Sequence, residues 1–304
     1  MRDLECVQFL QWALPRLRLR WAGFRKVRTQ VCRRLARRIN ELGLPTVSAY
    51  RAYLDTHPEE WTIVDAFCPI TISRFYRDRA TFQALERDVM PALATAALAR
   101  GDPTFRCWSI GCASGEEPYT VAMLWMLRFR HRFPCPLQII ATDIDASAIE
   151  RGRAGCYPSS SLKDLPPPWV AEAFTRSNGL YCLRRDVQEP VVFLRQDVRT
   201  AAPDGPFHLI LCRNIAFTYF DDGLQRETLE TIRSRLIVGG ALVIGATESL
   251  PEGASGFVPW SPYRGLFQRS PHPTVSGHRQ PSAIIPGDKG SSPTPSLRKL
   301  AGPF

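Results

Sequence analysis

Two stretches of this chain run apolar rather than alternating: "LQIIATDI" from Leu137 and "FHLILCRN" from Phe207. A strand with one face in water alternates apolar and polar residues, so strands without alternation are expected to be covered on both faces. Helical patterns lie between them, and strands alternating with helices build an open parallel sheet with helices on either side. The spacing predicts strands over 105–111, 137–143, 191–198, 207–214 and 241–246, with shorter ones near Phe257 and over 265–268. In a doubly wound α/β sheet, ligands bind at the carboxyl ends of the strands.

Ahead of the sheet the period changes. Phe24, Val27, Val31, Leu35, Ile39 and Leu42 recur at three and four residues, which predicts one helix with Lys26, Arg33 and Arg37 on its opposite face. Gly43 and Pro45 end it, and "VSAYRAYLDTH" reads as a short helix with Tyr50, Tyr53 and Leu54 inward. Residues 1–80 are therefore expected to form a small all-helical, basic domain, followed by a sheet domain over 81–270 that opens with a helix at about 80–99. Residues 151–190 are too long for a plain connection. With Gly155, Pro158, the prolines at 166–168 and a hairpin pattern at "LYCLRRD", they predict an inserted β subdomain. Over 271–304 Pro, Ser and Gly dominate without periodicity, which predicts a disordered tail.

A chain of 304 residues that is 44% hydrophobic can fill a sizeable core. No apolar run approaches the roughly 18–20 uncharged residues of a membrane span, and no small-residue cleavage site follows the short apolar patch at the N-terminus. A soluble, cytoplasmic protein without membrane insertion is expected. The nine cysteines include no CxxC pair and no Cys/His ligand spacing, so reduced thiols and no metal site are expected. Most of the net charge of +10 comes from residues 1–40, with eleven Lys/Arg against two carboxylates. That surface suits nucleic acid, an anionic membrane or an acidic protein.

The loop after the first strand reads "GCASGEEPY". It matches neither GxGxxG nor GxxxxGK[ST], and its two carboxylates would repel phosphate. Gly111 lets a ligand approach the turn. Acidic residues favour a helix start, which suffices for Glu116, while Glu117 is free to meet a cation. The second strand ends in "ATDID", placing Asp143 where a carboxylate accepts ribose hydroxyls. The third ends in "RQDV", with Asp197 and Val198 where an adenine edge would lie. A nucleoside without phosphates whose cationic amino-acid tail meets Glu117 is S-adenosylmethionine. The fourth strand ends in "CRNIAFTYF": Asn214 and Tyr219 are the functional candidates, and Phe217 and Phe220 are expected in the core. Asn214 is not followed by the Pro-Pro-aromatic sequence typical of base-amine methylation.

Taken in order, "ITISRFYRD", "SGEEPY", "ATDID", "LCRN" with "YF", and "ATESL" resemble the CheR family of chemotaxis-type protein-glutamate methyltransferases, over residues 16 to about 270. The resemblance implies a Rossmann-like class I methyltransferase sheet, a β subdomain inserted after the second strand, S-adenosylmethionine as cofactor, and a glutamate in a receptor helix as methyl acceptor. By motif it implies that Thr71, Ser73 and Arg77 approach the cofactor from the N-terminal side. Glu117, Asp143, Asp197, Val198, Asn214 and Ile215 would hold it within the sheet domain.

A glutamate side chain, which ordinarily titrates at about pH 4.3, is an anion at neutral pH, so methyl transfer to it requires no general base. None of the five histidines lies in these motifs, and His208, on an apolar strand, is expected as a core residue. Alignment would carry the reaction, with Arg77 orienting the acceptor carboxylate. An acidic receptor helix would be steered to Lys26, Arg33 and Arg37. The missing base-amine motif and the lack of an RNA-binding module weigh against nucleic acid as partner. Recruitment to membrane receptors, and a small-molecule acceptor on the same scaffold, stay open.

Overall fold

The unbroken apolar runs form the middle of a seven-stranded sheet in the computed structural model, which describes residues 2–271. The strands of the chain are β1 (Phe105–Ile110), β2 (Leu137–Asp143), β3 (Cys156–Tyr157), β4 (Phe174–Ser177), β5 (Leu180–Leu183), β6 (Val191–Arg195), β7 (Phe207–Cys212), β8 (Leu236–Ile244), β9 (Phe257–Pro259) and β10 (Leu266–Arg269). The large sheet runs β6-β2-β1-β7-β8-β10-β9. Its first five strands are parallel, and β10 and β9 close it antiparallel. Because β1 pairs with β2 on one side and β7 on the other, the connections diverge there and a crevice opens at the strand ends.

Both faces of the central strands β1, β2 and β7 are buried, which is why they do not alternate, whereas edge strand β6 leaves Val192 and Leu194 exposed. Cys107, Leu209, Leu211 and Val243 pack into the core on one face, while Trp108, Ile110, Ile210 and Ile244 pack on the other. On the second face α13 (Asp222–Arg235) packs against β8, with Leu224, Leu229 and Ile232 buried, and the same cluster of buried residues extends into the N-terminal helices α1 (Asp3–Ala13), α2 (Trp21–Phe24), α3 (Arg28–Glu41), α4 (Val47–Thr56) and α5 (Glu60–Ala66). Their buried residues, among them Phe9, Leu35 and Tyr50, belong to the same cluster as Trp108. An extended segment leads to α6 (Arg79–Ala84), which continues through a π-helical turn (Leu85–Val89) into α7 (Met90–Arg100). The remaining helices are α8 (Glu116–Leu124), α9 (Ala146–Ala154), α10 (Pro167–Ala173), α11 (Arg185–Gln188) and α12 (Ala216–Tyr219). After α9 the chain forms a separate small sheet, β3-β5-β4. Among the described residues no helix is long and apolar enough to cross a membrane, and no cluster of His, Cys, Asp or Glu is placed to hold a metal ion. The tail expected over 271–304 lies, apart from Pro271, outside the described residues.

Several expectations need correction. The helix read as continuous from Phe24 to Leu42 is broken by a turn at 25–27, so Lys26 sits in that turn while Arg33 and Arg37 occupy the exposed face of α3. The break follows from tertiary contact. A β-carbon on Gly23 would meet the Thr218 carbonyl oxygen at 2.3 Å, so α2 is pressed against α12 rather than collinear with α3. The strands expected to reach Val198 and Asn214 end at Arg195 and Cys212, leaving Asp197, Val198, Asn214 and Ile215 in loops. Four of the nine cysteines are paired, not reduced. Cys6–Cys32 joins α1 to α3, and Cys156–Cys182 joins directly opposed residues of β3 and β5. Each pair is separated by 26 residues and is created by packing. The other five cysteines are free and buried.

Candidate active site

The crevice at the carboxyl ends of β1, β2, β6 and β7 is a cavity of about 220 Å³, closed on one side by the segment 68–77 and by Leu19 and Phe24. Thr71, Ser73, Arg77, Gly111, Glu117, Asp143, Asp197, Val198, Asn214, Ile215 and Tyr219 all line it. Lys26, Arg33 and Arg37 do not; they lie on the outer surface of the helical part.

The floor is the turn from β1 into α8. Gly111 has φ +68°, and a β-carbon there would meet Ile215 Cδ1 at 1.8 Å, so the loop after β1 and the loop after β7 touch at a position that favours glycine. Ala113 is also left-handed, at φ +49°. Its N–H donates to Asp143 Oδ2 (2.8 Å), while the Asp145 N–H donates to Oδ1 (2.9 Å). Asp143 thus holds the turn as well as facing the cavity, and burial pushes its carboxyl above the ordinary aspartate range.

Glu117 and Glu116 differ in environment. Glu117 accepts from Ser109 Oγ (2.8 Å) and from Arg213 Nη1 (2.9 Å). A carboxylate has roughly four lone-pair sites, so capacity remains toward the cavity. Glu116, 5% exposed, lies outside the cavity lining, with Oε2 buried and unpaired. Burial raises its pKa, opposed in part by hydrogen bonds that include the Ser73 hydroxyl. It is therefore more than the helix-start residue expected. A carboxyl whose folded pKa lies above its unfolded value loses stability as pH rises through that interval. Glu116→Gln is accordingly expected to raise the Tm near neutral pH, with the gain shrinking as pH falls into the carboxylate range. Thermal melts across pH check this, and a lower Tm at every pH would count against it.

Arg213 is not among the residues expected from the sequence to form the site. Its side chain is 3% exposed, and besides Glu117 it pairs with Asp78 (2.7 Å) and donates to the Arg77 carbonyl (2.9 Å). It thereby joins the segment before α6 to the sheet. The available signal was an arginine ending an otherwise apolar run, where a charge survives burial only if paired. Glu248, within "ATESL", has a similar part. It accepts from the N–H groups of Asn214 (2.9 Å) and Gly245 (2.6 Å) and from the Thr218 hydroxyl, tying the ends of β7 and β8 together.

α12 carries Tyr219 at its end, and the N-terminal segment holds it there. The Arg20 N–H donates to the Tyr219 carbonyl (2.8 Å), Arg20 Nε to that of Thr218 (3.0 Å), and Arg20 Nη2 to that of Phe217. The Phe24 and Tyr219 rings are 4.9 Å apart. Burial raises the Tyr219 pKa and the Arg77 charge opposes this. Arg77 itself donates to the Ile72 carbonyl (2.8 Å). Phe217 and Phe220 are buried, as expected of core residues. So is His208, whose Nε2 bonds Asp102 and whose Nδ1 accepts from the Arg106 N–H.

The lining fits S-adenosylmethionine better than a phosphate ligand. Asp143 and Glu117 supply anionic acceptors for hydroxyls and an ammonium, and of the arginines in the lining Arg199 and Arg213 are already paired with carboxylates. Residues 71–261 match the family model described as CheR methyltransferase, SAM binding domain, and residues 26–64 match CheR methyltransferase, all-alpha domain. The chain is 31% identical to the chemotaxis protein methyltransferase of Escherichia coli K12, covering 73% of this chain and 77% of the relative. With chemotaxis protein methyltransferase 2 of Vibrio cholerae the identity is 28%, over 75% and 80%. It is 31% identical to an uncharacterized 104.1 kDa protein of Rhodobacter capsulatus, covering 78% of this chain but 25% of that much longer relative.

Proposed function

Since the chain belongs to the CheR methyltransferase family and is an S-adenosylmethionine-dependent methyltransferase, we propose that its acceptor is a glutamate carboxylate on an acidic, helical signalling protein of the chemoreceptor type. The cofactor supplies a methyl group made electrophilic by its sulfonium. The observation that carries the acceptor reading is a cavity with Arg77 and Tyr219 in its lining and no histidine among the lining residues. A carboxylate acceptor is already ionised and needs orientation rather than a base. Arg77 would hold one carboxylate oxygen and leave the other free to attack. The Tyr219 phenol, protonated at neutral pH like any ordinary tyrosine, can donate a hydrogen bond to the same group.

Arg33 and Arg37, exposed on α3, extend this reading to the protein partner. Reversing both to Glu is expected to lower kcat/KM for the protein substrate by about tenfold at low salt, with the difference shrinking as ionic strength rises. S-adenosylhomocysteine affinity should stay unchanged, and an equal loss of both would refute the division of labour. The acceptor chemistry is tested by incubating the purified protein with methyl-labelled S-adenosylmethionine and host lysate. Protein-bound label released as methanol by mild base identifies a carboxyl ester. Base-stable label, or label in RNA, would overturn the proposal.

A further inference from the structure

The inserted subdomain after α9 carries one of the two disulfides and lies beside the cofactor crevice without lining it. Its sheet is small. β3 has two residues and pairs with β5 at two positions, Cys156 with Cys182 and Tyr157 with Tyr181. The first of these pairs is the disulfide, so the covalent bond and one neighbouring pair of residues fix β3 on β5, helped by the Leu183 N–H donating to the Gly155 carbonyl (2.9 Å). Both cysteines are half-buried, whereas Cys6 of the other pair is 1% exposed. A small thiol can therefore reach Cys156–Cys182, and access is what thiol–disulfide exchange requires.

Tyr157, next to Cys156, is buried and reaches out of the subdomain. Its hydroxyl donates to the Ser114 carbonyl (2.6 Å), in the turn that carries Gly111 and Ala113 of the cavity lining. Its ring meets Phe75 edge-on, with centroids 4.7 Å apart. Phe75 belongs to the segment that supplies Thr71, Ser73 and Arg77. It also meets Phe174 of β4 (5.4 Å), its N–H donates to the Ser161 carbonyl (3.1 Å), and Arg74 beside it pairs with Asp164 (3.4 Å). The subdomain thus grips both the floor of the crevice and the segment that closes it, and Tyr157, on the disulfide-bearing strand, touches both.

We infer that Cys156–Cys182 is a redox modification site that sets the affinity for the cofactor. Oxidised, the pair holds β3, and with it Tyr157, against Ser114 and Phe75. Reduced, β3 is released from β5 and that hold loosens. The oxidant is a small-molecule disulfide such as oxidised glutathione. One cysteine thiolate attacks it and expels the first small thiolate, and the second cysteine then displaces the other half as a thiolate. Two protein thiols and one small disulfide become one protein disulfide and two small thiols, so two electrons and two protons pass to the small molecule. This control acts on cofactor binding, whatever the methyl acceptor.

The test is calorimetric titration of the full chain with S-adenosylhomocysteine in oxidising and in reducing glutathione buffers, in a Cys6→Ala/Cys32→Ala background that leaves one pair. Reduction is expected to weaken binding by about fivefold or more, the lower end of coupling between two sites. Linkage is reciprocal. Saturating S-adenosylhomocysteine should therefore raise, by the same factor, the glutathione ratio (reduced squared over oxidised) at which half of the Cys156–Cys182 pair is reduced, read by thiol alkylation and mass spectrometry. A disulfide that only stabilised the subdomain would leave that ratio unmoved. Cys156→Ser/Cys182→Ser should bind weakly in both buffers. Tyr157→Phe, which keeps the disulfide and loses the hydrogen bond to Ser114, should show a smaller difference between the buffers than its parent. If a cysteine variant fails to fold, the wild-type protein in the two buffers gives the same comparison, with alkylation identifying the pair that has changed. Affinities within about twofold in the two buffers, a half-reduction ratio unmoved by S-adenosylhomocysteine, or redox dependence that persists in the serine variant would overturn the assignment. So would an undiminished difference in Tyr157→Phe.

Discussion

Arg213→Met is expected to destabilise the folded protein by about 3–5 kcal/mol, the usual cost of removing one partner from a buried ion pair. The magnitude depends on what is left behind. The Glu117 side chain is 13% exposed, and without the guanidinium its charge would keep one hydrogen bond from Ser109 and no countercharge. Asp78, 36% exposed, contributes less, because water already screens it. Methionine fills much of the same volume, so the loss reports charge and hydrogen bonding more than a cavity. Denaturant unfolding measures it. Adding Glu117→Gln to the variant should recover part of the lost stability, since the uncompensated charge is then gone. A loss below about 1 kcal/mol would mean that the pair behaves like a surface one.

Asp143→Ala should have the largest effect on cofactor binding, weakening S-adenosylhomocysteine by about a hundredfold or more. Two charge-assisted hydrogen bonds to ribose hydroxyls, at about 1.5–3 kcal/mol each, account for that without further terms. The substitution also frees the N–H groups of Ala113 and Asp145, which Asp143 holds, and with them the left-handed turn at Ala113. Fold and affinity can be separated by titration well below the melting temperature. Affinity of the wild-type protein should also fall on acidification at a higher pH than an ordinary aspartate would dictate. The raised pKa means that the accepting, charged form is lost earlier as pH drops. Binding within about threefold of wild type in the alanine variant would remove Asp143 from the site.

Asp143 and Arg213 stood at different depths in the sequence. "ATDID" made Asp143 a candidate because a carboxylate at the end of a parallel strand has a recurring use, and that inference needs only local pattern and strand order. Arg213 stood equally in view within "LCRN", yet its partners lie 96 and 135 residues away, and nothing local says which carboxylates will meet it. Asp197 illustrates the reverse. It was visible at the end of its predicted strand, but Arg199, two residues on, and Asp65, 134 residues away from Arg199, occupy the same charge network. The turn at Lys26 was likewise hidden, because helical periodicity continued through a break imposed by contact with α12.

By itself, then, the sequence determined the parallel sheet, the basic helical face of Arg33 and Arg37, the order of the cofactor motifs and the family they belong to. Each of these is carried by burial period, residue type or spacing, quantities written along the chain. Only the tertiary structure decided which charges neutralise one another around Glu117 and Asp197, which cysteines meet, and how segment 18–24 holds Tyr219 against the cavity. A partner is selected by chain closure over long separations, and burial pattern is silent about it: periodicity says that a residue goes inside, and only the packed fold says against what.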